Sequence, residues 1–269
     1  GGSWDSTNVA DGIVSVVAPV GLDHTDMLGD TLAEIATEKA GIIKPDGYLI
    51  SAAQDPEVAT ILLDTARKQN AKYAFEGVEF GVVERDRAVG GQLLTLRGLA
   101  GEYPDIELPL HGEHQGQNAS LALAAVEAFF GGDRALARDV VLAGFAQVRS
   151  PGRLEMIRSE PLVVLDAAHN PHGVRAASTA FKEAFELSHV HAVVGILGEK
   201  DALGIFEVLR EEYVDSTDAT FRLYLSASDS SRAIAPEELQ EIALDAGFDE
   251  DIITVCDHLD EALATAMEN

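Results

Sequence analysis

The stretch Leu162-Val-Val-Leu-Asp166-Ala-Ala-His169-Asn170-Pro171-His172-Gly173 decides the fold. A short run of valine and leucine reads as a buried strand, and Pro171 opens a helix soon after it. Polar groups at the carboxyl end of a strand, beside a helix N-terminus, form a ready pocket for an anion or a nucleotide. An ordinary cap, with Asn170 or His172 ordering the turn, accounts for the same residues. Asp166, His169 and Asn170 crowd so closely together that the balance tips toward function.

Working outward, strand and helix keep alternating. Strands are expected at Leu162–Leu165, His191–Leu197, Phe221–Ser226 and Ile252–Val255, and helices at Gly173–Phe185, Leu203–Tyr213, Pro236–Ala246 and Leu259–Met267. This pattern predicts a small doubly wound domain. Ser150-Pro151-Gly152 breaks the chain upstream and sets a boundary between residues 1–149 and 150–269. Before that break, Ile13–Ala18, Tyr48–Ala52 and Lys72–Phe75 read as strands, separated by helices at Thr31–Ile43 and Pro56–Gln69. Phe80–Arg85 and Gln92–Arg97 flank Gly90-Gly91 as a hairpin would, and helices follow at Asn118–Phe130 and Leu136–Val148. The fold class is therefore α/β, with two mostly parallel sheets.

Composition narrows the functions. There are 46 acidic residues against 19 Lys and Arg among 269, a formal charge of −27. Such a field works against broad contact with nucleic acid or anionic lipid. An anionic ligand would need local cations or helix N-termini to overcome it. No stretch approaches the roughly 20 apolar residues of a membrane span. Cys256 is the only cysteine, so no internal disulfide or Cys-rich zinc site can form, which favours a reducing, cytoplasmic setting. The opening Gly1-Gly2, without Met, reads as mid-protein sequence.

Four further stretches stand out. Leu22-Asp23-His24-Thr25-Asp26-Met27-Leu28-Gly29 follows the first strand; a His between two Asp suits a divalent metal, yet on spacing alone turn and cap chemistry weighs more. Lys39 in Glu38-Lys39-Ala40-Gly41-Ile42 is, by itself, a cation at a helix end. Gly195-Ile-Leu-Gly198-Glu199-Lys200-Asp201 is a glycine-rich turn for which loop chemistry is the better account, and Asn118 in His114-Gln115-Gly116-Gln117-Asn118-Ala119 reads first as a helix cap. No G-x-x-x-x-G-K-[ST] phosphate loop occurs.

The order of the motifs is more specific than any one of them. Gly1-Gly2-x-x-Asp5-x-Thr7-Asn8, Leu22-Asp23-His24-Thr25-Asp26-x-Leu28-Gly29 and Glu38-Lys39-Ala40-Gly41-Ile42 come first. His114-Gln115-x-x-Asn118-Ala119, Ser150-Pro151-Gly152-Arg153-Leu154-Glu155 and Asp166-x-Ala168-His169-Asn170-Pro171 follow. This succession, covering essentially the whole chain, resembles the folylpolyglutamate/dihydrofolate synthase branch of the Mur ligase superfamily.

The resemblance implies an ATP-dependent ligase that joins L-glutamate to a folate or dihydropteroate carboxylate through an acyl phosphate, using ATP and Mg2+. It implies the back half of a P-loop-type ATPase domain followed by a smaller Rossmann-like domain. His24 matches the family's metal-ligand histidine, and Lys39 the lysine that is often carbamylated beside the second magnesium. Asn118 matches the position near the adenine, and Arg153 the hinge arginine that reaches the ATP phosphates. Asp166 and His169 match nucleotide-side and active-site contacts, while Lys200 and Arg232 are placed toward the incoming glutamate or phosphates. A monomer is expected, with small-molecule substrates and neither nucleic acid nor membrane as partner. The family's phosphate loop and a magnesium-binding glutamate are expected upstream of Gly1, and a closing strand and helix beyond Asn269, so the chain alone is expected not to turn over ATP. Trp4 stands where an aliphatic residue is usual. Competing expectations are a Mur ligase acting on a cell-wall precursor and a non-catalytic remnant serving as an acidic interaction module. A metal-dependent hydrolase built on His24 and His169 ranks below both.

Overall fold

Short β-branched runs separated by capped amphipathic helices leave few choices of architecture. The computed structural model describes residues 6–21 and 31–268 and divides into two units, Gly1–Arg149 and Ser150–Asn269.

In the first unit, β1 (Val14–Val17), β2 (Tyr48–Ser51) and β3 (Lys72–Phe75) form a parallel sheet in that order. The crossovers are α1 (Leu32–Ala40) and α2 (Pro56–Lys68). Thr31 starts α1 with a reciprocal cap, its hydroxyl accepting the Glu34 amide at 3.2 Å while the Glu34 carboxylate accepts the Thr31 amide at 3.1 Å. Asp55 caps α2, with Pro56 in its first turn. Ile35, Leu49, Val58 and Leu62 lie fully buried between helices and sheet, each contributing about 1.5–3 kcal/mol over exposure.

An antiparallel meander follows: β4 (Gly81–Ala88), β5 (Gly91–Arg97) and β6 (Glu102–Leu108). The hairpin turns at Gly90, whose φ of 78° suits glycine. β6 was not expected from the sequence. Pro104, Asp105 at φ 60° and a bulge opposite Leu94–Leu96 shift its buried residues from strict alternation to Tyr103, Ile106 and Leu108. Two helices, α3 (Glu113–Phe129) and α4 (Arg138–Ala146), complete the unit. Leu123 in α3 packs on the meander, whereas Leu121 and Ala124 pack with Ile50 and Phe80. Gly116 in α3 faces Leu94 and Val82 of the meander.

In the second unit, β7 (Glu155–Ser159) and β8 (Leu162–Leu165) form an antiparallel ribbon. The Leu162–Leu165 strand is present, but β7 is its partner, and Leu162 and Leu165 are 40% and 50% exposed rather than buried. Then come α5 (Pro171–Ala184), β9 (His189–Val194), α6 (Ala202–Leu209), β10 (Thr220–Leu225), α7 (Pro236–Asp245), β11 (Ile253–Val255) and α8 (Leu259–Glu268). The three strands form a parallel sheet in the order β11-β10-β9. Phe206, Leu223, Leu225 and Leu239 are its fully buried centre.

Candidate functional site

The loops at the carboxyl ends of the second unit's strands bring several of the expected residues together. Asn170 caps α5 by accepting the Gly173 amide at 2.7 Å, so the capping expectation for Asn170 holds. His169 is exposed, with Nδ1 3.1 Å from the Ala167 carbonyl. Asp166 is half-buried and serves the backbone: Oδ1 accepts the Ala168 amide at 2.7 Å and Oδ2 the Leu154 amide at 2.8 Å. Leu154 adjoins Arg153, so one carboxylate links the expected phosphate-side arginine to the loop that bears His169.

The turn after β9 lies against the turn after β10. The Gly198 amide donates to the Arg232 carbonyl at 2.8 Å, and the Ile234 amide to the Ile196 carbonyl at 2.9 Å. Gly195 has no room for a side chain, since a Cβ there would come within 2.9 Å of the Ser226 carbonyl oxygen. Lys200 is half-buried beside Asp201, which caps α6 through the Gly204 amide at 2.9 Å. The N-termini of α5 and α6 adjoin, for a Cβ on Gly204 would sit 2.8 Å from Pro171 Cγ. Arg232 pairs with Glu199 at 2.7 Å, with side chains 66% and 43% exposed. Such a pair contributes at most about 1 kcal/mol, and Arg232 must leave it to meet a substrate. Arg153 is exposed and makes no side-chain hydrogen bond or ion pair with the other described residues.

In the first unit, Lys39 lies half-buried in the last turn of α1. The turn after it is fastened by Asn8, whose Nδ2 donates to the Gly41 carbonyl at 3.2 Å and whose Oδ1 accepts from Lys44 Nζ at 3.0 Å. Ser15 Oγ donates to the Ile42 carbonyl at 2.7 Å. Asn118 is exposed on the second turn of α3, its Nδ2 donating to Gln115 Oε1 at 3.3 Å. It caps nothing, because Gly112 is the cap position and the helix begins earlier than its sequence suggests. Two polar residues at the strand ends escaped the sequence reading. Gln54 accepts the Val20 amide at 2.9 Å and donates to the Ala18 carbonyl at 3.0 Å, and Glu76 accepts from Ser120 Oγ at 2.9 Å. Their only sequence signal was position at the carboxyl end of a predicted strand.

The Leu22–Gly29 motif with His24 lies outside the described residues. Among those described, no group of three or more His, Cys, Asp or Glu side chains is arranged to hold a metal ion. Lys39 is the one expected metal-side residue within them, and its ammonium would oppose a cation. The described residues therefore do not compose a magnesium site by themselves. Cys256 is buried, and burial pushes its thiol pKa up, which disfavours a thiolate nucleophile. No helix among the described residues is long and apolar enough to cross a membrane.

A parallel α/β unit that holds a histidine and a lysine in loops after its strands, near two helix N-termini, and braces beside them an arginine with no side-chain partner among the described residues, belongs to the class that handles anionic or nucleotide ligands. Residues 152–269 match the family model described as Mur ligase, glutamate ligase domain. The dihydrofolate synthase/folylpolyglutamate synthase of Mycobacterium tuberculosis is 45% identical over 99% of this chain, and the chain covers 55% of it. The Escherichia coli dihydrofolate synthase/folylpolyglutamate synthase is 31% identical over 90% of this chain. Among solved structures, the M. tuberculosis folylpolyglutamate synthase complexed with ADP and AMPPCP superposes with a TM-score of 0.90 at 44% identity, covering 100% of this chain and 59% of that one. E. coli FolC in complex with DHPP and ADP does so with a TM-score of 0.83 at 28% identity, covering 100% of this chain and 58% of that one. The chain belongs to the folylpolyglutamate synthase/dihydrofolate synthase family, and it spans a little over half the length of these relatives.

Proposed function

We propose that this chain is part of an ATP-dependent ligase that adds L-glutamate to the carboxylate of a folate or a dihydropteroate. The observation that carries the proposal is the likeness along 99% of the chain to a bifunctional relative, at 45% identity. Complexes of other relatives with ADP, AMPPCP and DHPP support a nucleotide and a small-molecule acceptor. Gly1–Arg149 is read as part of the central ATPase domain and Ser150–Asn269 as the C-terminal domain.

In the reaction, an acceptor carboxylate oxygen attacks the γ-phosphorus of ATP and ADP leaves. The glutamate amine then attacks the acyl carbon, the bond to the phosphate oxygen breaks, phosphate departs and the amine gives up a proton. Phosphoryl transfer depends on positioning and charge neutralisation rather than on a protein nucleophile. Arg153, a cation without a side-chain partner among the described residues in a chain of −27 charge, is assigned to the transferring phosphoryl group. Asn118 is assigned to the adenine, Asp166 and His169 to the nucleotide side, and Lys200 and Arg232 to the acidic substrates. Mg2+ is expected with ATP, and His24 and a carbamylated Lys39 are its proposed neighbours. The proposed setting is a cytoplasmic monomer.

The test follows phosphate release from MgATP by the complete gene product with glutamate present, adding dihydropteroate, tetrahydrofolate or a cell-wall precursor in separate reactions. Release that requires a pteridine acceptor is the expected result. Release with the wall precursor instead, or with no acceptor tried, overturns the proposal.

A further inference from the structure

Residues 152–154 are held more tightly than a surface turn requires. The Gly152 amide donates to Glu155 Oε2 at 2.8 Å, and the Gly152 carbonyl accepts the Ala167 amide at 2.8 Å. The Arg153 amide donates to the Ser150 carbonyl at 3.2 Å, and the Leu154 amide to Asp166 Oδ2 at 2.8 Å. Gly152 and Leu154 both have positive φ, 68° and 46°. For a bulky residue such as Leu154 this is a disfavoured conformation, one that persists only where the surroundings over-determine it. Here they do: the Leu154 side chain is 6% exposed, and its amide is captured by a carboxylate. Between these two fixed residues stands Arg153, the side chain that makes no polar contact with the other described residues. Other arginines of this unit are spent on carboxylates: Arg175 on Glu211 and Glu212, Arg210 on Asp215, and Arg232 on Glu199.

We infer that Glu155 and Asp166 are positioning residues for Arg153: they lock the backbone on either side of it, so that a long flexible side chain starts from a fixed origin. The inference rests on the role proposed for Arg153 at the phosphoryl group. Small displacements of a charged group from its reacting partner lose much of the rate, and supporting hydrogen bonds prevent such displacement. Glu155 is the cleaner probe, because Asp166 also holds the Ala168 amide and thereby the loop of His169.

The experiment measures steady-state glutamate ligation by the complete gene product carrying Arg153→Ala, Glu155→Ala, Glu155→Gln or the Arg153→Ala/Glu155→Ala pair, with thermal unfolding recorded for each. Glu155→Ala is expected to lower kcat by about 10-fold with KM for ATP little changed. Glu155→Gln keeps an amide oxygen for the Gly152 amide and should restore most of the rate. In the double variant, the loss of Glu155 should add nothing to the loss of Arg153. Multiplicative effects in the double variant, or a Glu155→Gln as impaired as Glu155→Ala, would overturn the positioning role. An Arg153→Ala enzyme with unchanged kcat would instead remove the proposed role of Arg153 itself. Should Glu155→Ala fail to fold, Glu155→Asp, which keeps the charge but shortens the reach, replaces it with the same expectations.

Discussion

Glu127 in the first unit and Glu155 in the second both use a carboxylate to catch the backbone of a turn, with different consequences. Glu127 is fully buried on α3. It accepts from the amides of Leu99 and Ala100 in the β5–β6 turn and from Tyr103 Oη at 2.6 Å, and that hydroxyl accepts the Leu136 amide at 2.8 Å. A Cβ on Gly98 would collide with the Glu127 carboxylate. The network closes on itself and ties the meander to α3 and to the segment before α4. Glu155 is half-buried, catches one amide, and stands two residues from a cation with no partner among the described residues. Burial makes the first carboxylate a fastening of the fold; exposure makes the second a support for a side chain that remains available.

The largest expected effect follows from that difference. Glu127→Ala leaves two amides and a tyrosine hydroxyl without their acceptor in a dry interior and should destabilise the first unit by about 3–5 kcal/mol. Glu155→Ala should cost less, roughly 1 kcal/mol, since it removes a single hydrogen bond made by a half-buried carboxylate. Denaturant unfolding of the two variants separates the cases. A Glu127→Ala loss no larger than that of Glu155→Ala would break the comparison.

A pH series sharpens it. Burial, followed by the hydrogen bond to Glu127, pushes the Tyr103 pKa up from 10.0 to about 12. Above about pH 10 the unfolded chain releases this proton while the folded chain keeps it. Stability is therefore full below pH 10 and falls as the pH rises toward 12, by at most about 1.4 kcal/mol per unit from this group. Burial also raises the Tyr48 and Tyr213 pKa values, so the wild-type slope contains them too. Unfolding midpoints across this alkaline range should fall less steeply for Tyr103→Phe. An unchanged slope would mean that the Glu127 network does not hold the Tyr103 proton.

Much of the fold was legible because its strands are short β-branched runs and its helices begin at Thr31, Asp55 and Asn170, side chains that do cap. What stayed hidden had physical causes. β6 carries a proline and a bulge that spoil alternation, β7 is exposed and mixes Met156 and Ile157 with Glu155 and Arg158, and α3 begins at Glu113, ahead of the Asn118 cap its sequence suggested. At the site, the residue types could be read from their motifs, but not their mutual bracing. Asp166 reaches back to Leu154, Asn8 across to Gly41, and Arg232 to Glu199, each joining positions that only the folded backbone brings together. His24 lies outside the described residues, so the metal-side expectation rests on Lys39 alone within them.

A third carboxylate sets the low end of the comparison. Glu34 is exposed and accepts the Thr31 amide at 3.1 Å and the Thr31 hydroxyl at 3.0 Å in the reciprocal cap of α1. The bond type is that of Glu127 and Glu155, but both partners are exposed, so water competes for them. Glu34→Ala should therefore cost about 0.5–1 kcal/mol in denaturant unfolding. It should also leave the ligation rate of the complete gene product unchanged. A drop in kcat comparable to that of Glu155→Ala would show that carboxylate bracing tunes the rate wherever it occurs, and that the exposure of Arg153 is not what distinguishes the second unit.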